Sequence, residues 1–343
     1  MLGLARQTAE AFEAKYGHAP TGVWSAPGRV NIIGEHTDYN EGFVLPIAIN
    51  RATYAAIALR EDNTARVGST FTDEVVELDL SKLGEAMGWA AYPLGVAHVL
   101  PASTGFDLFI DSDVPVGAGL SSSAAIECAV ALGLDELFGL GNDRRALARV
   151  GQRAENEVVG APTGIMDQSA SLLGRADHAV FLDCQSLAVE SIELGFAAAG
   201  LEIVIIDTRV AHRLNDGGYA TRRAACEAAA EAFEVPSLRH LTLQALEANR
   251  DRLDDVTYRR ALHVVTENQR VLDFVAALKL ADFARCGQLM VESHASMRDD
   301  FEISVDELDT AVETSMRHGA LGARMTGGGF GGAAIALCPI EKI

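Results

Sequence analysis

The stretch from residue 27 to residue 46 constrains the fold most, because it fits neither a helix nor a strand period. It reads PGRVNIIGEHTDYNEGFVLP, with a proline at each end and three glycines inside. Four ionisable side chains lie within ten residues of one another: Arg29, Glu35, His36 and Asp38. We therefore predict a shaped loop between strands. A loop so rich in donors and acceptors is typical of a site for a polar ligand.

Charge and length exclude several classes of protein. The 343 residues have a formal net charge of −20, which argues against a nucleic acid or an anionic membrane as partner, because both bind a basic surface. The length predicts two domains. Five widely spaced cysteines without a Cys-x-x-Cys pattern predict reduced thiols in a cytoplasmic protein. No apolar run approaches the length of a membrane span.

A second glycine-rich stretch, VPVGAGLSSSAA, begins at residue 114 and precedes a helix predicted over residues 124–138. Gly117 and Gly119 allow the backbone to approach a ligand closely. The serines that follow, which offer caps and hydroxyl ligands, are Ser121, Ser122 and Ser123. A helix N-terminus after such a turn suits a phosphate. A glycine loop with a serine cap would explain the same residues without a ligand, so both interpretations stay open.

Two acidic residues and a third glycine-rich stretch follow. Glu155 lies on a helix predicted over residues 143–158, and Asp167 lies near the start of a short helix, where an aspartate is usually only a cap. The segment RMTGGGFGGAAIAL, from residue 324, formally contains G-x-G-x-x-G. A strand follows it instead of a helix, which excludes a Rossmann site. We predict a flexible hairpin that packs against a bound phosphate or sugar.

Other nucleotide, hydrolase and metal templates are absent from the sequence. There is no Gly-Lys pair for a Walker A loop, and no G-x-S-x-G or S-x-x-K pattern for a serine hydrolase. The nine histidines form no zinc-binding pattern. The pattern changes from helices to strands near residue 178, so we place a domain boundary near residue 175.

Together, the three glycine-rich motifs resemble those of the GHMP small-molecule kinases, and the first resembles the galactokinase signature of that superfamily. The match runs from about residue 20 to residue 338. The resemblance implies an α+β fold of two domains, residues 1–175 and 176–343, with the active site in the cleft between them. Relatives usually continue with a further helix and strand, so we expect the C-terminal domain to be shortened at its end.

The resemblance also implies roles for individual residues. Arg29 and Asp167 match the catalytic pair. The positions that bind the sugar are Glu35, His36, Asp38, Gly164, Asp167 and Tyr219. The positions that bind ATP are Gly117, Gly119, Leu120, Ser121, Ser122 and Ser123. Ser123 and Glu155 match the positions that hold Mg²⁺.

These roles imply that ATP and Mg²⁺ serve to phosphorylate galactose at its anomeric hydroxyl, giving galactose 1-phosphate and ADP. The residue types suit that chemistry. Carboxylates accept hydrogen bonds from sugar hydroxyls, Arg29 can neutralise charge on the transferred phosphoryl group, and Asp167 can accept a proton. Two alternatives remain: a sibling kinase acting on N-acetylgalactosamine or another sugar, and a regulator that binds galactose and ATP without turnover. The complete serine run and the pair of Arg29 and Asp167 argue against the regulator.

Overall fold

The computed structural model describes residues 2–210 and 217–343. The helices are α1 (Leu2–Tyr16), α2 (Ala91–Val99), α3 (Ser122–Phe138), α4 (Arg144–Ala154), α5 (Met166–Leu173), α6 (Gly218–Ala232), α7 (Leu243–Ala248), α8 (Asp255–Lys279), α9 (Phe283–Asp299) and α10 (Asp306–Arg317). The strands are β1 (Gly22–Asn31), β2 (Phe43–Val44), β3 (Pro46–Leu59), β4 (Thr64–Ser69), β5 (Thr72–Asp79), β6 (Phe106–Ser112), β7 (His178–Asp183), β8 (Ala188–Glu193), β9 (Leu201–Asp207), β10 (Gly322–Thr326) and β11 (Ala333–Pro339). A π-helical turn, Glu155–Val159, extends α4.

The chain divides into two compact units. The first comprises Met1–Arg29, Ala48–Pro115 and Ser121–Leu173, and the second comprises Val30–Ile47, Val116–Leu120 and Gly174–Ile343. The domains expected at residues 1–175 and 176–343 stay a prediction, as does the shortened end of the C-terminal domain. In the described ranges, no helix has the length and the apolar character needed to cross a membrane.

The first unit is built on a sheet with the strand order β1-β3-β6-β4-β5. The second half of β3, residues 52–58, is mostly apolar because both of its faces are covered. Ala55 and Ile57 belong to the core that α2, α3 and α4 share, whereas Ala56 and Ala58 pack with Phe12 of α1 on the opposite face. This packing positions the N-terminus of α3 and the start of α5.

The second unit contains two small antiparallel sheets, with the strand orders β10-β11-β9 and β2-β7-β8. The longest helix, α8, packs on α6 and α9, and α9 and α10 cover β10. The predicted glycine-rich hairpin is present, since β10 and β11 pair from Gly322 with Leu337 to Thr326 with Ala333. This unit carries the loop that follows β1.

The prediction of a loop over residues 27–46 was wrong at both ends. Strand β1 continues to Asn31, and β3 begins at Pro46. Pro27 is tolerated in β1 because this strand lies at the edge of its sheet, where a missing amide hydrogen costs no ladder hydrogen bond. Arg29 therefore lies on a strand, and the loop is confined to residues 32–42, between β1 and the short strand β2.

Candidate active site

A bidentate ion pair joins two of the predicted site residues in the first unit. Arg29 Nε donates to Asp167 Oδ1 at 2.8 Å, and Arg29 Nη2 donates to Asp167 Oδ2 at 2.9 Å. The Arg29 side chain is 6% exposed and that of Asp167 is 28% exposed. The guanidinium is thus fixed in the interior, while the carboxylate remains within reach of a ligand. Asp167 lies inside the first turn of α5, and its carboxylate makes this ion pair.

Ser121 contributes to the same group in an unexpected way. It occupies the N-cap position of α3, but its backbone is left-handed, with φ 57° and ψ 48°, and its side chain makes no cap hydrogen bond. The hydroxyl donates instead to Asp167 Oδ2. A left-handed non-glycine residue costs on the order of 1 kcal/mol, which the surrounding contacts must offset. The amides at the start of α3 are not capped by Ser121, and this suits an oxygen of a phosphate.

Glu155 ends α4 next to a serine of the second motif. Ser123 Oγ donates to Glu155 Oε1 at 3.4 Å, while Thr163 Oγ1 and Gln168 Nε2 donate to Oε2 at 2.9 and 3.0 Å. Burial, followed by the charge of Asp167, raises the pKa of Glu155 to about 7. A cation placed beside this carboxylate would favour its charged form.

The donor set fits Mg²⁺. A carboxylate and a hydroxyl are hard oxygen ligands, and Mg²⁺ in kinases is usually completed by phosphate oxygens and water. In the part of the chain that the structure describes, no group of three or more His, Cys, Asp or Glu side chains could hold a metal ion by itself. A site with one carboxylate from the protein is consistent with that finding.

The glycine-rich loop before α3 packs against the hairpin of the second unit. Gly117 and Gly119 both have positive φ, at 79° and 71°, and a Cβ on Gly117 would meet open space. A Cβ on Gly327 would lie 3.1 Å from Gly119 O, and a Cβ on Gly332 would lie 3.2 Å from Ala118 O. The second and third motifs therefore meet backbone to backbone. Leu120 is buried beside them, and Gly164 is buried in the segment before α5.

Glu35 fastens the loop after β1 to the same hairpin. The Gly327 amide donates to Glu35 Oε1 at 2.6 Å, and the side-chain amide of Asn31 donates to Oε2. Asp38 opens a single 3₁₀ turn, where its Oδ1 accepts the Tyr39 amide at 3.0 Å. The carboxylate of Glu35 is thus held by backbone and amide donors within the second unit.

His36 lies in an aromatic group on this loop. Its Nδ1 is 2.8 Å from the Tyr39 hydroxyl and its Nε2 is 3.1 Å from Gly328 O. The ring centroid lies 5.1 Å from that of Tyr219 and 4.8 Å from that of Phe301. The structure therefore brings Tyr219, which is more than 180 residues away in the sequence, beside His36.

A buried charged cluster under this loop was missed in the sequence. Arg324 is fully buried and donates to Asn31 O at 3.2 Å, with its Nη2 3.8 Å from both Glu35 Oε1 and Glu267 Oε1. Glu267 Oε1 also accepts the Gly34 amide at 2.9 Å. Burial opposes the ionisation of Glu267, but Arg270 and Arg324 outweigh it and lower its pKa to about 2.

The cluster also contains a neutral histidine. His263 Nε2 is 3.1 Å from Glu35 O, and burial lowers the pKa of His263 to about 4. Glu267 and His263 lie one turn apart on α8. Two titratable residues at that spacing within a mostly apolar helix face were the signal that could have found the cluster.

Comparisons with known proteins identify the family of this chain. A model described as "Galactokinase galactose-binding signature" matches residues 10–59. The models for the N-terminal and C-terminal domains of GHMP kinases match residues 89–175 and 274–342. A curated galactokinase from Streptomyces coelicolor is 48% identical, with 97% of this chain and 89% of the relative covered. This chain belongs to the galactokinase family.

Solved structures support this membership and show the fold. A crystal structure of Lactococcus lactis galactokinase complexed with galactose matches with a TM-score of 0.93 at 36% identity, covering 98% of this chain and 91% of that one. A mevalonate kinase from Methanococcus jannaschii matches with a TM-score of 0.67 at 18% identity, covering 93% and 91%. The predicted α+β GHMP kinase fold is confirmed. Membership in a kinase family implies that ATP is a substrate.

Proposed function

We propose that this chain transfers the γ-phosphoryl group of ATP to the anomeric hydroxyl of galactose, giving galactose 1-phosphate and ADP. The galactose-binding signature and the likeness to two galactokinases, one of them complexed with galactose, support the substrate. The observation that carries the reaction is the bidentate pair of Arg29 and Asp167. The reduced state of the five cysteines supports a cytoplasmic location.

The catalytic pair divides the work of phosphoryl transfer. Asp167 is partly exposed and accepts the proton of the anomeric hydroxyl as the oxygen attacks. Arg29, which cannot lose its proton at ordinary pH, neutralises charge on the transferred group. Ser121 donates to the same carboxylate oxygen as Arg29 Nη2, and so fixes the rotamer of Asp167. The positions of both groups are set before the substrate binds, which reduces the reorganisation needed in the transition state.

ATP is bound by the second motif. Gly117, Gly119 and Leu120 offer backbone amides to the phosphates, and the hydroxyls of Ser121 and Ser122 lie at the N-terminus of α3, where negative charge is favoured. Ser123 and Glu155 would hold Mg²⁺, which when bound neutralises charge on the phosphates.

The sugar-binding side chains that we propose for the second unit lie on the loop after β1 and on α6. We assign the hydroxyls of the sugar to Glu35, His36, Asp38 and Tyr219, with Gly164 leaving room for the ring. A misplaced hydroxyl in an epimer would lose its hydrogen bonds to these side chains, and this penalty favours one stereoisomer.

The proposal is tested by ADP release across a panel of sugars that includes galactose, glucose and N-acetylgalactosamine. We expect galactose to have the highest kcat/KM. A higher kcat/KM with N-acetylgalactosamine would favour the sibling kinase. Binding of galactose without ADP release from any sugar would favour the regulator and contradict the proposal.

The role of Asp167 is tested by Asp167→Asn. We expect turnover to fall by about 10²–10⁴-fold, the usual contribution of general base catalysis, while ATP still binds. The chain offers a matched control in the same unit, since Asp62 pairs with Arg60 in the same bidentate manner at the surface. Asp62→Asn should leave kcat unchanged. Near-normal turnover in Asp167→Asn would refute its assignment as the base.

A further inference from the structure

Three helices of the first unit bring two buried carboxyl groups to one buried amide. Glu127 lies on α3, Glu155 at the end of α4 and Gln168 on α5. Gln168 Nε2 donates to Glu127 Oε2 at 2.9 Å and to Glu155 Oε2 at 3.0 Å. Gln168 and Glu127 are both completely buried. The one amide group therefore uses its two hydrogens to bridge the two carboxyl groups.

This arrangement costs stability. Burial, then the charge of Glu155, raises the pKa of Glu127 well above its ordinary value. Within the described ranges, Glu127 Oε1 and Gln168 Oε1 are buried without a hydrogen-bond partner. Apolar residues of similar volume would pack here at a lower cost. Local departures of this kind are common beside functional groups.

The helix that faces these side chains leaves room for them. Gly151 is a buried glycine inside α4, where glycine is about 1 kcal/mol less favourable than alanine. A Cβ at Gly151 would lie 2.9 Å from Gln168 Cγ and 3.4 Å from Glu127 Cβ. Close contacts with Gln168 and Glu127 therefore disfavour alanine at position 151. This steric observation is independent of the hydrogen bonds.

The bridge distinguishes the two oxygens of Glu155. Oε2 accepts two short hydrogen bonds, from Thr163 Oγ1 at 2.9 Å and from Gln168 Nε2 at 3.0 Å. Oε1 has only the long contact of 3.4 Å with Ser123 Oγ among the hydrogen bonds of the described residues. The carboxylate is thus turned so that Oε1, beside the serine, is the oxygen left for a cation.

We propose that Gln168 is a positioning residue that orients the carboxylate of Glu155 toward Mg²⁺, and that Glu127 holds Gln168 in place. The proposal rests on the function proposed above, in which Glu155 and Ser123 hold the cation. Groups that orient a metal ligand from behind typically contribute 10–100-fold to metal affinity. Gln168 acts through Glu155 and has no contact with substrate in this role.

The experiment measures how much Mg²⁺ tightens the binding of a non-hydrolysable ATP analogue, by calorimetry with and without Mg²⁺ and with no sugar present. In Gln168→Met, which keeps the length of the side chain but loses the amide, we expect the gain from Mg²⁺ to fall at least about tenfold. Binding without Mg²⁺ should stay as in the parent. A merely structural role would lower the melting temperature and leave the gain from Mg²⁺ intact.

Two further variants serve as a second test and as a control. Gly151→Ala displaces Gln168 without altering it, and we expect the same loss of the Mg²⁺ effect. Ser171→Ala removes a different buried hydrogen bond of α5, the one to Pro27 O at 2.7 Å, and should keep the Mg²⁺ effect. A full Mg²⁺ effect in Gln168→Met would overturn the proposal, whatever Gly151→Ala shows.

Failure of this proposal can be told from failure of the proposed function. If Glu155→Gln loses the Mg²⁺ effect while Gln168→Met keeps it, the ligand role holds and the positioning role is refuted. If Glu155→Gln and Gln168→Met both keep the Mg²⁺ effect, the role of Glu155 as a Mg²⁺ ligand is refuted as well. Because no sugar is present, the measurement tests Gln168 whether or not galactose proves to be the substrate.

Discussion

His263 makes the stability of the second unit dependent on pH. A carbonyl oxygen can only accept, so Nε2 of His263 carries the hydrogen donated to Glu35 O, while Nδ1 lies 3.0 Å from Ser296 Oγ, whose hydroxyl donates to Asp300 Oδ2 at 3.0 Å. A second proton on the buried ring is opposed first by desolvation and also by Arg270 and Arg324, although Glu267 favours it. The net effect lowers the pKa of His263 to about 4 from its ordinary value of 6.5.

The sign and size of the effect follow from this shift. Because the pKa is depressed in the folded state, the stabilisation is present above pH 6.5 and is lost as the pH falls toward 4. Between pH 7 and pH 5, His263 takes up a proton in the unfolded chain but stays neutral in the folded protein. The free energy of unfolding should therefore fall by about 2 kcal/mol over that interval from this residue.

A second buried group, Glu155, contributes to stability with the opposite pH dependence. The stability of the parent protein alone therefore does not isolate the contribution of His263. The pKa of Glu155 is raised from 4.5 to about 7, and its contribution is fully present below pH 4.5 and lost as the pH rises through 7. The two shifts are of similar size and opposite slope. The comparison must therefore be made between the parent and His263→Gln, because the contribution of Glu155 cancels in the difference.

The assay is urea unfolding of both proteins at pH 7 and pH 5, followed by circular dichroism at 222 nm. Trp24 and Trp89 both lie in the first unit, so tryptophan fluorescence would report on the wrong part of the chain. We expect the stability advantage of the parent over His263→Gln to shrink by about 2 kcal/mol at pH 5. An advantage that is the same at both pH values would refute the neutral, buried histidine.

Two other substitutions should lower stability. Arg324→Met leaves two buried carboxylates without their shared guanidinium, and we expect a loss of about 3–5 kcal/mol in urea unfolding; a loss below about 1 kcal/mol would contradict the cluster. Gly329→Ala combines a φ of 84° with a Cβ 2.5 Å from Ile303 O, so we expect a cost above about 1 kcal/mol, seen as a lower melting temperature. Gly160→Ala, with a similar φ of 80° but open space around the Cβ, is its control and should cost less.

Long periodic elements of the fold were readable from the sequence. Apolar residues at helical spacing predict helices over residues 2–16 and 255–278, and the structure has α1 at Leu2–Tyr16 and α8 at Asp255–Lys279. Helix α7 was missed, since its six residues are too few to show a period. The extension of β1 through Pro27 was missed because only the edge position of the strand, which depends on the whole sheet, makes proline acceptable there.

Part of the candidate site could be predicted from the sequence motifs. The motifs led to Arg29 and Asp167, and the structure joins them, but their roles stay proposals. The hydrogen bond from Ser121 to Asp167 was not predictable, because the left-handed backbone of a serine is imposed by tertiary contacts and not by local preference. Arg324 likewise looks like an ordinary strand residue until the fold buries it beside Glu35.

The bond between Glu35 and the Gly327 amide joins residues 292 positions apart, and this separation has a consequence for biosynthesis. At roughly 5–20 residues per second, about 15–60 seconds pass between the appearance of Glu35 and that of its partner on the ribosome. A similar time separates the synthesis of Asn31 from that of Thr326, whose hydroxyl oxygen accepts a hydrogen bond from the Asn31 backbone amide at 3.0 Å. Helices of the first unit can form during that time, whereas the loop that we assign to the sugar stays unfinished. A nascent chain halted before β10 would thus have helices of the first unit in place, while the loop after β1 would lack its contacts with the hairpin.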